Sequence, residues 1–259
     1  MSGGDGQVHL HRDGPVATLV FDRPATRNAM TWTMYEALGA HCRALAEDRS
    51  VRVVLMRGAG GEAFVSGTDI AQFLAFRDGE DGVAYEHRID EGITLVEKLP
   101  MPTVALVEGW AVGGGLAIAT ACDFRIATHG ARFGVPIAKT LGNTLSIANL
   151  ARLEAAWGLA RVRRMLLLAQ MIGAEEALDC GFLLQACAPG ELDAAAAALC
   201  ERLLALAPTT QSVVKEGLRR VVAANLPEGD DLVRRCYGSR DFREGVEAFT
   251  ARRPPNWHG

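Results

Sequence analysis

Three consecutive glycines, Gly113, Gly114 and Gly115, stand between an apolar run that reads as a strand and an apolar helix that reaches Cys122. Glycines tolerate backbone angles and close approaches closed to other residues, and a helix head leaves N–H groups unpaired. Such a terminus attracts negative charge, whether a phosphate or an oxyanion that forms during a reaction. The spacing from Gly109 to Gly115 does not fit G-x-G-x-x-G and no G-K-[ST] follows, which argues against a dinucleotide or P-loop site. Glycines kept only for tight helix packing are the plain alternative. A second strand-to-helix turn, Glu62-Ala63-Phe64-Val65-Ser66-Gly67-Thr68-Asp69-Ile70, has Asp69 in the first turn of the helix it opens. Two such turns in one chain could converge on a single carbonyl oxygen, where backbone donors stabilise charge as it develops.

The elements that must position these turns are legible from pattern. Residues 16–21, 51–56, 103–107 and 124–128 are short, β-branched runs closed by turn signals, as strands are. A helix is predicted over 33–48, with Thr33 and Glu36 as a reciprocal capping pair. Another covers 83–99, closed by Pro100 and Pro102. Beyond Pro136 the period is helical over 145–153, 160–169, 174–180, 191–207, 210–224 and 229–250, and the tail 252–257 is too proline-rich to continue. Strand and helix units followed by helices imply an α/β core with an appended helical layer.

Composition narrows the function classes. The 259 residues are 49% hydrophobic and 22% charged, which excludes a disordered chain, and the net charge of -4 excludes a dedicated nucleic-acid binder. No apolar run approaches the ~20 residues that cross a bilayer. The start, MSGGDGQVHLHRDG, has neither the cationic nor the apolar region of a leader, so a cytoplasmic protein is expected. Cys42, Cys122, Cys180, Cys187, Cys200 and Cys236 lie in apolar stretches without metal-ligand spacing and read as packing residues; no metal site is expected.

Several segments, in order, carry a resemblance. Ala63 to Ile70 and Val107 to Gly115 look like the two signatures of the enoyl-CoA hydratase/isomerase (crotonase) superfamily. Arg23-Pro24-Ala25-Thr26-Arg27-Asn28-Ala29 resembles its R-P-x-x-x-N-A segment, Cys122 to Ala127 its C-D-x-x-x-A, and Phe133-Gly134-Val135-Pro136 its F-G-x-P, so the likeness spans about residues 8–257. It implies a crotonase-like ββα superhelix, expected over 1–195, with a helical oligomerisation region over 196–259. It further implies a homotrimer or homohexamer and an acyl-CoA ligand, with coenzyme A arriving as part of the substrate and no separate cofactor. Carried over by position, the oxyanion-hole donors are the backbone N–H groups of Thr68 and Gly114. Arg27, Ala29, Ser66, Asp69, Ile70 and Ala71 should border the CoA arm, and Lys215 and Trp257 its nucleotide end.

The pattern breaks at the two glutamates that hold the hydratase water. Their positions are Ala117 and Ile137, neither of which can exchange a proton. Other acid/base candidates are Tyr85, His87, Asp90 and Glu91 on the helix before Pro100, and Asn143, Thr144 and Ser146 beyond Ile137. The expectation is a lyase or isomerase of acyl-CoA that stabilises a thioester enolate without two-glutamate hydration. An isomerase, decarboxylase, thioesterase or catalytically silent acyl-CoA-binding subunit are the alternatives.

Overall fold

A computed structural model describes residues 4–258. Strand β1 (Gln7–Asp13) turns at Gly14 and pairs antiparallel with β2 (Val16–Asp22), whose Ala17, Leu19 and Phe21 alternate into the core. Helix α1 (Trp32–Glu47) follows. The chain then repeats a unit of one strand for a larger sheet, one for a smaller sheet and a helix. The first unit is β3 (Val53–Gly58), β4 (Ala63–Val65) and α2 (Gly79–Glu97), with a 3-10 turn at Ile70–Ala75 before α2. The second is β5 (Thr103–Val107), β6 (Trp110–Val112) and α3 (Gly114–Ala121). The third is β7 (Phe124–Thr128), β8 (Arg132–Gly134) and α4 (Ile137–Thr140), extended by α5 (Ile147–Trp157) and α6 (Leu159–Leu167). Strand β9 (Ile172–Gly173), α7 (Ala174–Asp179) and β10 (Gln185–Cys187) complete the sheets. Helices α8 (Leu192–Leu204), α9 (Pro208–Ala223), α10 (Asp230–Tyr237) and α11 (Arg240–Thr250) end the chain.

The larger sheet runs β1-β2-β3-β5-β7-β10 and the smaller β4-β6-β8-β9. Successive units stack parallel in both, with Leu55 opposite Val104 and Leu106 opposite Ile126 in one, and Ala111 opposite Phe133 in the other. This is the ββα superhelix with C-terminal helices that the motifs imply. Strand β5 is buried at every residue because both faces of its sheet are covered, which explains its unbroken apolar run. One face meets Met56, Phe64, Leu116 and Phe133, and the other lies under Leu199 and Leu203 of α8. The expected division at residue 195 falls inside α8, a continuous helix laid on that outer face.

Several local expectations change. The cap of α1 is Thr31, whose hydroxyl accepts from the Met34 N–H, and Glu36 pairs with Arg88 instead of closing a box with Thr33. The predicted helix 229–250 breaks at Gly238-Ser239, where the Ser239 hydroxyl accepts from the Phe242 N–H and starts a new helix. The two- and three-residue strands of the smaller sheet are too short for a periodic signal. All six cysteines are free, and burial pushes the Cys42 and Cys122 thiols up to about 12, in keeping with a packing role. Among the described residues no helix is long and apolar enough to cross a membrane.

Gly115 lies so close to β4 that a Cβ there would collide with the Val65 carbonyl. Gly115→Val is therefore expected to cost roughly 1–3 kcal/mol or more in urea unfolding, since a packed backbone has nowhere to move. Gly130, with nothing within 4 Å of its notional Cβ, should tolerate alanine to within about 0.5 kcal/mol. Equal tolerance at both positions would contradict the packing.

Candidate active site

Position 68 is set by a single parallel bridge. The Met30 N–H donates to the Gly67 carbonyl at 2.8 Å, and the Asp69 N–H donates to the Met30 carbonyl at 2.9 Å. In a parallel bridge the flanking peptides make both bonds, so the N–H of the central residue, Thr68, points the other way. Met30 is itself held by the preceding loop. Buried Asn28 adopts a left-handed φ of 58° and its amide donates to the Ala59 and Ala63 carbonyls at 2.9 and 2.8 Å. Gly67, at φ 118°, makes the turn that no side chain adopts readily.

The second turn meets the first. Gly113, at φ 53° and ψ −119°, precedes α3, and its N–H donates to the Gly134 carbonyl at 3.0 Å. Gly114 is the first residue of α3, where no carbonyl one turn earlier exists to receive its N–H. A Cβ on Gly114 would stand 2.5 Å from the Tyr35 hydroxyl and 3.5 Å from Thr68 Oγ1, so the two turns lie side by side. Both open into one cavity of about 410 Å³.

The Thr68 side chain is not idle. Its hydroxyl shares hydrogen bonds with the Tyr35 hydroxyl at 2.9 Å and the Tyr85 hydroxyl at 2.7 Å, all three buried. Burial pushes the Tyr35 phenol up to about 12 and that of Tyr85 well above its ordinary value, so both stay protonated at neutral pH. Tyr85 was among the sequence candidates. Tyr35, on α1, carried no local signal.

Besides Asp69, the cavity is lined by the carboxyl of Glu86, which sequence reasoning passed over between Tyr85 and His87. Glu86 is 2% exposed. Its Oε1 accepts from the Tyr237 hydroxyl of α10 at 2.7 Å, and its Oε2 accepts from the Ser146 N–H at the head of α5 at 2.9 Å. The Asn143 amide donates to the Tyr237 oxygen at 3.1 Å, which leaves the tyrosine proton for Glu86. Glycines make this junction possible, because a Cβ on Gly82 would enter the Tyr237 ring and one on Gly79 would enter the Arg234 backbone. Burial outweighs these donors and raises the carboxyl from 4.5 to about 7.

The other acid/base candidates are engaged elsewhere. His87 is exposed and faces Asp230 at 3.0 Å, Asp90 binds Arg152 at 2.9 Å, and Glu91 is exposed. Ser146 caps α5, its hydroxyl accepting from the Asn149 N–H at 3.1 Å. The expected ligand contacts divide. Ala29, Ser66, Asp69 and Ile70 border the cavity, with Asp69 paired to Arg23 at 2.7 Å. Arg27 is turned to Glu62 at 3.7 Å, and Ala71 donates its N–H to Asp69 outside the lining. Trp257 packs near Gly142. Lys215 does not line the cavity, since its ammonium donates to Asp123 at 2.6 Å and to the Met101 carbonyl at 3.2 Å, tying α9 to the sheet. Ala117 and Ile137 both line the cavity. Among the described residues no group of three or more His, Cys, Asp or Glu could hold a metal ion.

Comparison with known proteins agrees with this architecture. Residues 11–259 match the family described as enoyl-CoA hydratase/isomerase. The short-chain-enoyl-CoA hydratase of Clostridium acetobutylicum is 28% identical over 252 residues, covering 95% of each chain. The carnitinyl-CoA dehydratase of Salmonella typhi is 31% identical, covering 97% of this chain and 98% of its own. A solved methylmalonyl-CoA decarboxylase in complex with 2-nitronate-propionyl-CoA superposes with a TM-score of 0.89 at 25% identity, over 97% of this chain and 98% of that one.

A carboxyl whose value is raised on folding contributes stability that is complete below 4.5 and is lost as pH rises through about 7. Glu86→Gln removes that dependence. The stability of the variant relative to the parent is therefore expected to rise by about 3 kcal/mol between pH 5 and pH 8, followed by urea unfolding. A difference that stays constant over that range would show that Glu86 does not titrate there.

Proposed function

We propose, since the chain belongs to the enoyl-CoA hydratase/isomerase family, that it binds an acyl-CoA thioester in this cavity and stabilises the enolate of that thioester between the N–H groups of Thr68 and Gly114. The observation that carries the reading is the Met30 bridge, which turns the Thr68 N–H away from its own strand partner beside the head of α3. A thioester oxygen gains negative charge when its Cα loses a proton or a carboxylate, and two fixed donors lower the energy of that state without reorganising. The reaction class is a lyase or isomerase of acyl-CoA. The names of the similar proteins, a dehydratase and a decarboxylase among them, support acyl-CoA chemistry on this frame.

Hydration through two glutamates is not the proposed reaction, because Ala117 and Ile137 occupy the matching positions and offer no group to orient a water. A silent binding subunit is less well supported, since Glu86, Asn143, Asn149 and Arg152 all reach the cavity wall. Ala29, Ser66, Asp69 and Ile70 are assigned to the pantetheine arm, and Arg27, Ala71 and Trp257 to the surroundings of the mouth. Lys215 is left out because its ammonium is already paired. A homotrimer or homohexamer is proposed because Val213, Val214, Leu218 and Val221 of α9, with Leu167 and Leu168, form exposed apolar surface. A monomer in light scattering would contradict it.

Butyryl-CoA at about 100 times its dissociation constant should stabilise the protein by ~2.7 kcal/mol, while butyrate should not. Crotonyl-CoA hydration should run at least about a hundredfold below that of a two-glutamate relative assayed alongside, the least that one lost acid/base group costs. Failure to bind any CoA ester would end the ligand assignment, and ordinary hydration rates would end the exclusion of that reaction.

A further inference from the structure

Two carboxylates line the cavity, Asp69 and Glu86. Asp69 is committed: one oxygen receives the Arg23 guanidinium and the other the Ala71 N–H at the head of the 3-10 turn. Glu86 is different. Its oxygens accept one hydrogen bond each, from the Tyr237 hydroxyl and the Ser146 N–H, and among the described residues no cation is paired with it as Arg23 is with Asp69. Its helix also carries Tyr85, whose hydroxyl binds Thr68 at the proposed oxyanion site, so α2 sets the carboxyl and the donor turn in one rigid frame. A brace between helices accounts for the two hydrogen bonds that Glu86 accepts, but not for its place on the wall of the cavity that the two donor turns enter.

We propose that Glu86 is the catalytic acid/base of this protein and that its reaction is a double-bond shift, 3-enoyl-CoA to 2-enoyl-CoA, by a single carboxyl. This rests on the acyl-CoA reading above. The Glu86 carboxylate removes a proton from Cα, the C–H electron pair moves into the dienolate, and the thioester oxygen takes up the charge against the Thr68 and Gly114 N–H groups. The carbonyl then reforms, the C3=C4 pair takes the proton from the Glu86 carboxylic acid at C4, and a C2=C3 double bond results. Proton and electrons balance with no water and no second acid. One carboxyl suffices for this reaction, whereas hydration needs groups at Ala117 and Ile137 that are absent. The raised value of about 7 places the carboxyl where base and acid forms are both available at neutral pH.

Tyr237 and Cys236 face the Glu86 carboxyl from α10, Tyr35 from α1, Arg152 lines the same cavity from α5, and Tyr85, His87 and Asp90 share its helix. Asp90 is paired with Arg152 and His87 with Asp230. The test uses the full chain with trans-3-hexenoyl-CoA as substrate and butyryl-CoA as a binding and exchange probe, the latter followed by deuterium uptake at Cα from heavy water. The parent should shift the double bond and exchange the Cα proton, with kcat/KM rising to a plateau through about pH 7. Glu86→Gln should bind butyryl-CoA as the parent does and lose both activities about a hundredfold or more. His87 is retained in that variant, so a pH midpoint that survives it overturns the proposal. Tyr237→Phe, which removes a donor that favours the carboxylate, should move the midpoint upward; an unmoved midpoint overturns the proposal even if Glu86→Gln fails to fold. A parent that binds butyryl-CoA yet neither exchanges nor isomerises also overturns it. Absence of butyryl-CoA binding in the parent strikes instead at the acyl-CoA reading.

Discussion

Thr68 lends one backbone peptide to Met30 on each side and keeps its own N–H for the cavity. That geometry depends on a chain of supports that begins well away from the site. Asn28 pins the loop to β4, Gln72 donates to the Met30 carbonyl at 3.2 Å while its oxygen accepts from the Trp32 N–H at 2.8 Å, and Gly67 supplies the turn. Gly114 must then approach within a side chain's width of Tyr35, which any larger residue would prevent. A donor pair of this kind acts through fixed position, because dipoles already aimed at the developing charge need no reorganisation when it forms. The superhelix supplies the fixity by stacking both turns at the same end of adjacent parallel strands of the smaller sheet.

The C-terminal helices complete the cavity. Gly79 and Gly82 remove the bulk that would keep α10 from α2, and the contact they permit delivers Tyr237 to Glu86. Phe73, Phe76, Tyr85, Tyr237 and Phe242 form an aromatic cluster around that contact, with Phe73 and Tyr85 edge-to-face at 4.9 Å and Tyr237 and Phe242 tilted at 4.7 Å. The rings exclude water and so raise the cost of charge on Glu86. Tyr237 and the head of α5 oppose that cost with hydrogen bonds. A carboxyl balanced between these two effects differs in kind from Asp69, whose charge is met directly by Arg23.

The backbone frame and the proposed acid/base group are chemically separable. The backbone donors require no particular side chain at 68 or 114 beyond the room to approach, so the proposed stabilisation of an enolate does not depend on a carboxyl at Ala117 or Ile137. The group that moves the proton is a side chain and can stand on any wall that reaches Cα. Here the cavity carboxyl without a cation partner among the described residues stands on α2.

The two turns of the proposed donor half were legible in the sequence. Gly67-Thr68-Asp69 and Gly113-Gly114-Gly115 are local patterns, and local patterns encode strand-to-helix turns because glycine's freedom and the unpaired N–H groups belong to neighbouring residues. The strands 103–107 and 124–128 were equally plain, since burial on both faces writes a continuous apolar run. The proposed acid/base half was not. Glu86 reads as one charged residue on a helix whose exposed face carries His87, Arg88 and Glu91, and its burial depends on Tyr237 and Ser146, distant in the chain. Lys215 likewise, expected at the nucleotide end of CoA, is held by Asp123 across the sheet. Whether a charge is solvated, paired or buried is decided by what packs on it, and that is a property of the tertiary structure alone.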